Sequence, residues 1–520
     1  MLIGDILRRS ANYFSDKDAL VCGERVVTYG ALNERVNRLA DSLLRKGAKK
    51  GDRLAILAHN SIEHFEIYFA AAKIGCIFVP VNNLLRQSEL RAILDYGTPR
   101  VLFLGPDYES IIGAMKEELD YIDFFVRMKG GSLPDAGPYE SLIVEGDTGE
   151  PEVQVSLEDI SSIFFTSGTT GRPKGAMRTH RHEFLNAMTN AVELGLQHDD
   201  RPMFIFPFYH IPFVDNTVRH ILVGNTIVFR KEGQFDPIEV LDTILRERVT
   251  MCQLVPTMIN AMLQEEDIQS YNLSHFRLLI YVGSTIPVSV LKKAIETFKC
   301  RFMQFYGGTE SGPAVTALRP QDHVLTGSGS QLARLASAGR PVLGYEVRIV
   351  DGEDRDVPVG ELGEIIVKGD AIMVGYWNLP EESEIALRGG WFRAGDMGRF
   401  DEEGYLYIVD RKNDMIISGG KNIYPREIEE LLYRHEAIME AAVIGVPDEY
   451  WSESVKAVVV LKEGMKASED EIIAFCKKNL ASYKKPRSVE FRKELPKNPT
   501  GKILKRLIKE EYWKGRDRMV

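Results

Sequence analysis

Cysteine is scarce in this chain: five in 520 residues, at positions 22, 76, 252, 300 and 476, with no Cys-x-x-Cys pair among them. That spacing excludes a disulfide-stapled fold and a structural zinc site, and the five thiols read as reduced core residues. Long apolar runs are missing too. None reaches the roughly 18 to 20 residues of a membrane-crossing helix, so no membrane span is expected. Excess positive charge is also lacking: 65 Lys and Arg face 75 Asp and Glu, a formal net charge of -10. This excludes the broad basic face that nucleic acid or an acidic membrane requires. Met1 to Asp5 lack the charged-then-apolar pattern of a secretory signal, and Asp517 to Val520 carry neither a peroxisomal nor a prenylation signal; the expected location is the cytoplasm. No Gly-x-Ser-x-Gly elbow is present, which removes a serine hydrolase. His180-Arg181-His182-Glu183 lacks the i, i+4 histidine pair of a helical zinc site and reads as the start of a helix.

What is present suits a globular protein of more than one domain, with 44% apolar and 27% charged residues. Leu32, Val36, Leu39 and Leu43 recur at helical spacing and stop at Gly47, after which Arg53 to Leu57 reads as a buried strand. A helix over 63–72 and a strand over 76–81 follow, with further strands expected over 101–105, 203–206, 226–229, 278–282 and 302–306. The alternation predicts an α/β fold of several layers with mixed or parallel sheets. After Asp351 short strands crowd together, at 364–368 and 404–409. The charged run Asp410-Arg411-Lys412-Asn413-Asp414 reads as a polar hinge. It divides a large N-terminal domain, 1–411, from a small mobile α+β C-terminal domain, 412–520, in which helices are expected over 427–433 and 471–479 and strands over 441–446 and 456–461. Gly327-Ser328-Gly329-Ser330 reads as a flexible connection.

The densest signal is Thr166-Ser167-Gly168-Thr169-Thr170-Gly171-Arg172-Pro173-Lys174-Gly175, directly after the apolar Ile163-Phe164-Phe165. A loop of glycine and hydroxyls thus begins where a buried strand ends. Backbone N–H groups there face an anion unobstructed, the hydroxyls add donors and Lys174 adds charge, which is the chemistry of a phosphate cradle for ATP. It is not the Gly-x4-Gly-Lys-[Ser/Thr] loop of nucleoside triphosphatases, because Arg172-Pro173 separate the lysine from the last glycine.

Five further segments stand at expected strand ends or loops, where α/β folds assemble their sites. They are Tyr281-Val282-Gly283-Ser284, Gln304-Phe305-Tyr306-Gly307-Gly308-Thr309-Glu310, Trp391-Phe392-Arg393-Ala394-Gly395-Asp396, Tyr407-Ile408-Val409-Asp410-Arg411 and Ser418-Gly419-Gly420-Lys421-Asn422-Ile423. A last turn, Leu495-Pro496-Lys497-Asn498-Pro499-Thr500-Gly501-Lys502, presents one lysine. In this order and spacing, from about Thr28 to Lys505, the set resembles the adenylate-forming superfamily: acyl-CoA synthetases, peptide-synthetase adenylation domains and firefly luciferase.

The resemblance implies a two-step reaction, in which a carboxylate attacks the α-phosphate of ATP, releasing pyrophosphate, and the acyl group then passes from AMP to a thiol. The first step needs no general base, because a carboxylic acid of pKa about 4 is already ionised. Its barrier is anion–anion repulsion, so positive charge, hydrogen-bond donors and alignment are what the protein must supply. On the family pattern Lys502 bridges the carboxylate and the α-phosphate. Thr166, Ser167, Gly168, Thr169, Thr170, Gly171 and Lys174 cradle the pyrophosphate, and Glu310 is the magnesium ligand with Thr309 beside it. Gly283, Ser284 and Thr285, with Gln304, Tyr306 and Gly307, form an adenine slot kept thin by glycine, where Tyr306 stacks on the base. Asp396 and Arg411 hold the ribose. Gly419 and Gly420 line the pantetheine tunnel once the small domain has swung round, and Asn413 stands at the hinge, where aspartate or lysine is usual. The co-substrates implied are ATP with Mg2+, CoA and a small-molecule carboxylic acid.

In the same way, His210 gates an acyl pocket formed by Ile211, Pro212, Phe213, Asn216, Gly283, Gly307 and Gly308. Its apolar members point to a hydrophobic acid, medium- or long-chain fatty or aromatic. Ile211 stands where amino-acid-activating domains carry an ammonium-binding aspartate, with Asp215 one turn further on. Gly308 replaces the bulkier residue common at its position and opens the pocket floor. Arg219 and His220 read as exposed helix positions, with reception of a distal carboxylate as the alternative. Two other functions remain: a stand-alone adenylation enzyme loading a carrier protein, and a non-catalytic ATP-binding module. The oligomeric state is open, a homodimer included.

Overall fold

A computed structural model describes residues 1–166, 173–230, 233, 235–411, 414–418, 421–448, 450–498 and 501–514, with the backbone alone for Arg411. Short, largely apolar runs such as Met251–Leu254 and Leu278–Tyr281 are buried along their whole length. Strands with no polar face pair in parallel between covering layers, and here they form the middle of a nine-stranded sheet. Its order is Arg340–Pro341, Gly312–Leu318, Arg301–Gly308, Leu278–Tyr281, Met251–Leu254, Pro202–Phe204, Ile227–Phe229, Asp18–Cys22 and Arg25–Thr28. An eight-stranded sheet carries Gly375–Tyr376, Lys174–Thr179, Ile160–Thr166, Ile77–Pro80 and Arg53–Leu57 side by side, and continues through Val101–Leu104 to Phe124–Arg127 and Gly137–Pro138. Both sheets are mixed and parallel in the middle: the nine-stranded sheet is antiparallel at both edges, the eight-stranded one only at its Gly375–Tyr376 edge.

A four-stranded antiparallel sheet, Tyr345–Val350, Gly363–Gly369, Phe392–Phe400 and Leu406–Arg411, abuts these layers. The remaining sheet is small. Ile438–Asp448 pairs antiparallel with Ser452–Leu461, which also pairs parallel with Ser488–Phe491, and helices Pro425–Leu432 and Glu469–Asn479 pack with it. The architecture is α/β, a large N-terminal domain followed by a small C-terminal one. No helix among the described residues is long and apolar enough to cross a membrane.

Four sequence expectations need correction. Arg219 and His220 do not sit on a helix surface: in helix Pro212–Val223 they are 2% and 1% exposed. Gly327-Ser328-Gly329-Ser330 is partly helical, since Ser328 caps helix Gly329–Ala333 by accepting from Gln331 N at 3.3 Å. Cys22 and Cys300 are only half-buried, whereas Cys76, Cys252 and Cys476 are core residues. Asp410 is not an exposed hinge charge but a buried member of strand Leu406–Arg411, accepting from Arg426 N at 3.1 Å.

Candidate active site

Strand Ile160–Thr166 carries Thr166 to its end, where it pairs opposite Lys174 of Lys174–Thr179. Ser167, Gly168, Thr169, Thr170 and Gly171 lie outside the described residues. Glu310 stands in the turn between strands Arg301–Gly308 and Gly312–Leu318. Thr166 Oγ1 donates to Glu310 Oε1 at 3.3 Å, and Tyr376 Oη donates to the same oxygen at 3.3 Å. Thr309 precedes Glu310 in that turn, half-buried.

Tyr376 is a site residue that sequence reasoning missed. Lys174 Nζ lies 5.1 Å from its ring centroid, a cation–π contact. The ring is fixed by backbone pairing: Tyr376 lies opposite Ala176, Trp377 N donates to Gly175 O at 2.8 Å, and Met373 N donates to Glu310 O at 2.8 Å. Burial, then the Glu310 charge, raises the Tyr376 pKa, so its hydroxyl stays protonated and able to donate. The available signal was an aromatic pair, Tyr376-Trp377, directly after Gly375.

A second group joins strand Arg301–Gly308 to the four-stranded sheet. Tyr306 Oη donates to Asp396 Oδ2 at 2.7 Å, and Asp396 is the cross-strand partner of Arg411. Gln304, 5% exposed, pairs opposite Tyr281, so the turn carrying Gly283 and half-buried Ser284 adjoins strand Arg301–Gly308. Gly307 has a different reason for being glycine than a thin slot. A Cβ there would meet Gly312 O at 2.1 Å on the paired strand. Gly308 is under no such constraint, its nearest neighbours lying at 3.8 Å.

The lysine turn docks against this region. Asn498 Oδ1 accepts from Lys502 N at 2.7 Å, while Lys502 O accepts from Asn498 N at 2.8 Å. Gly501, at φ +84°, turns its carbonyl to Thr257 Oγ1 at 2.9 Å, and a Cβ on it would meet that hydroxyl oxygen at 2.7 Å. A Cβ on Gly501 would touch Val255 Cγ2 at 3.2 Å and one on Gly283 would touch Val255 Cγ1 at 3.4 Å, so a single side chain separates the lysine turn from Gly283. Gly419, Gly420 and Asn413 lie outside the described residues.

His210 begins the remaining wall. The residue is half-buried, but its Nε2 is enclosed and without a hydrogen-bond partner among the described residues. Burial pushes its pKa down to about 4, so the ring is neutral. Ile211, Phe213 and Asn216 follow at 8%, 2% and 5% exposure, with Pro212 as the first residue of helix Pro212–Val223. Phe213 stacks on Phe208 with centroids 4.5 Å apart. Asp215 Oδ1 accepts from Asn186 Nδ2 at 2.6 Å and lies 3.4 Å from Arg178 Nη2; burial raises the Asp215 pKa. Asp215 thus engages the buried Arg178 and Asn186 through Oδ1, while its Oδ2 is enclosed without a hydrogen-bond partner among the described residues.

Among the described residues no cluster of three or more His, Cys, Asp or Glu forms a metal site. Magnesium is commonly held by one or two carboxylates together with substrate phosphates and water, and Glu310 beside the Thr166 hydroxyl fits that donor set.

The site is that of an AMP-binding enzyme: the chain belongs to that family, whose model matches residues 7–377, with the model of its C-terminal domain matching 427–502. It is 37% identical over 492 residues to a feruloyl-CoA synthase of an Amycolatopsis species, covering 94% of this chain and 95% of that one. It is 36% identical over 493 residues to the long-chain-fatty-acid–CoA ligase FadD13 of Mycobacterium tuberculosis, covering 94% and 93%. The structure of the anthranilate CoA ligase AuaEII with anthranoyl-AMP superposes with a TM-score of 0.91 at 29% identity, covering 98% of this chain and 97% of that one.

Proposed function

We propose that this protein is an AMP-forming acid–thiol ligase that activates a hydrophobic carboxylic acid, fatty or aromatic, as its acyl-adenylate and passes the acyl group to CoA. The observation that carries this reading is the convergence of Thr166, Lys174, Tyr376 and Glu310 around one carboxylate, with the Lys502 turn docked one side chain away from Gly283. In the first step the acid's carboxylate oxygen attacks the α-phosphorus of ATP and the bond to the β-phosphate oxygen breaks. Lys502 and Lys174 neutralise the two anions. Thr166 and the loop that follows hold the departing pyrophosphate, while Asp396, Tyr306 and Arg411 orient the ribose and the base. Glu310, held by two hydroxyls, would hold the Mg2+ that accompanies ATP, and the ion would supply positive charge at the phosphates. In the second step the CoA thiol attacks the acyl carbon and AMP leaves; Gly419 and Gly420 line the thiol's approach. Neutral His210, next to Ile211 and Phe213, gates an apolar channel for the acid.

The test is mass spectrometry of a reaction holding ATP, magnesium, CoA and a pooled panel of fatty, aromatic and dicarboxylic acids. An acyl-CoA together with AMP is expected. An acyl-adenylate that never becomes a thioester would assign the acceptor to a carrier protein, and absence of ATP cleavage with every acid would sink the reading.

A further inference from the structure

Helix Pro212–Val223 leaves the candidate active site at His210 and runs inward. Pro212, Asn216 and Arg219 recur at i, i+4 and i+7, so they share one face of it. At the inner end the guanidinium of Arg219 is buried, yet no carboxylate of a described residue hydrogen-bonds to it. Its Nε donates to His220 Nε2 at 3.3 Å and its Nη2 donates to Gln253 Oε1 at 3.3 Å. His220 Nδ1 pairs with Asn225 Oδ1 at 2.9 Å. With Nε2 accepting and Nδ1 donating, this imidazole is neutral, and burial keeps it so by pushing its pKa down to about 3. Both partners of the guanidinium are therefore uncharged. Asp215, one turn back, acts on Arg219 only through space, its Oδ1 being engaged by Asn186 and facing Arg178. A buried cation is ordinarily matched by an anion that contacts it.

Two further observations connect this cation with the acyl channel. The side chain of Asn216, at 5% exposure, hydrogen-bonds to no described group. Gln253, which receives Arg219, lies two residues before Val255, the side chain that touches both Gly283 and the Lys502 turn, and its cross-strand partner Ile280 lies three residues before Gly283. From Pro212 to Arg219 the helix rises by about 10 Å. A one-ring aromatic acid with a short side chain is of comparable length.

We propose that Arg219, with Gln253 and Asn216, forms a distal subsite of the acyl pocket that receives an anionic oxygen group, a second carboxylate or an ionised phenol, at the far end of the acid. The proposal rests on the ligase reading above and narrows its substrate class. Apolar walls select the acid's body, and one buried cation selects its end. His220 and Asn225 act as positioning residues that aim the guanidinium.

The experiment compares three cinnamic acids carrying methyl, hydroxyl or carboxylate at the para position, each with ATP, magnesium and CoA and the full-length protein. The wild type is expected to favour the carboxylate or hydroxyl acid over the methyl acid in kcat/KM, and the rank of the first two identifies the group received. Loss of a hydrogen bond to a charged group predicts that Arg219→Met lowers that selectivity ratio by about tenfold to a hundredfold, chiefly through KM, with Arg219→Lys recovering part of it. Should Arg219→Met fail to fold, the wild-type ranking and the ratio in Asn216→Ala decide. If the pooled panel yields a better acid, the same ratio is read on its methyl- and carboxylate-terminated forms. Preference for the methyl acid, or a ratio unmoved by substitution, overturns the subsite and leaves the ligase standing. Absence of pyrophosphate exchange with every acid overturns the ligase reading itself.

Discussion

A single oxygen, Glu310 Oε1, takes hydroxyls from Thr166 and Tyr376, and this small arrangement sets what individual substitutions should do. Lys502→Ala is expected to slow carboxylate-dependent ATP–pyrophosphate exchange by about a hundredfold to a thousandfold, the scale for losing one group aimed at transition-state charge; full retention of exchange would contradict its role. Tyr376→Phe removes one hydrogen bond to the Glu310 carboxylate and should cost about tenfold to a hundredfold in the same assay. His210 carries a pH prediction. Its folded pKa, near 4, lies below the unfolded value of about 6.5. The unfolded chain therefore takes up the proton first, so this residue withdraws stability as pH falls from about 6.5 towards 4 and none above that window. Its ring signal, assigned by loss in His210→Ala, should still report neutral imidazole by NMR at pH 5.5. Protonation with a midpoint near 6.5 would refute the burial argument. Thr166, Lys174, Glu310 and Lys502 could be proposed from sequence because each sits in a contiguous motif. Tyr376 was not, since what brings it to Glu310 is its pairing with Ala176, a contact distant in sequence. Arg219 was misread because a lone arginine on a helix is usually solvated.

At the level of elements, periodicity located the strands well where they are buried on both faces. Arg53–Leu57 matches to the residue and Leu278–Tyr281 to within one. It failed where local rules yield to packing: the glycine-serine run 327–330 reads as linker until Ser328 caps a helix. The hairpin of Arg301–Gly308 with Gly312–Leu318 yields a paired prediction on adjacent glycines. Gly307→Ala forces a Cβ to 2.1 Å from Gly312 O and should lower the melting temperature along with activity. Gly308→Ala meets nothing closer than 3.8 Å, so it should leave the melting temperature within about 1 °C while shifting the preference towards smaller acids. Equal destabilisation by both would mean that the hairpin is not the constraint.

Across the whole molecule, the small C-terminal sheet is fastened where the lysine turn needs it. Thr257 Oγ1 donates to Gly501 O, and Arg426 donates through Nη2 to Ala336 O at 3.4 Å and through Nη1 to Ile408 O. Lys505 pairs with half-buried Glu429 at 2.8 Å on the same small domain. If this docking serves adenylate formation, Thr257→Val should slow pyrophosphate exchange by about two- to tenfold, with a smaller effect on thioester formation from preformed acyl-adenylate; equal loss in both half-reactions would argue against separate domain positions for the two steps. A large domain followed by a small one was foreseeable from motif order, but the Thr257 contact was not, because it joins two surfaces with no shared pattern. The most direct test of the chemistry uses an accepted acid labelled with 18O in its carboxylate, with ATP, magnesium and CoA, followed by mass spectrometry of the nucleotide. Attack of that carboxylate on the α-phosphorus predicts AMP carrying one 18O for each acyl-CoA formed; unlabelled AMP, or ADP in its place, would contradict the adenylate route.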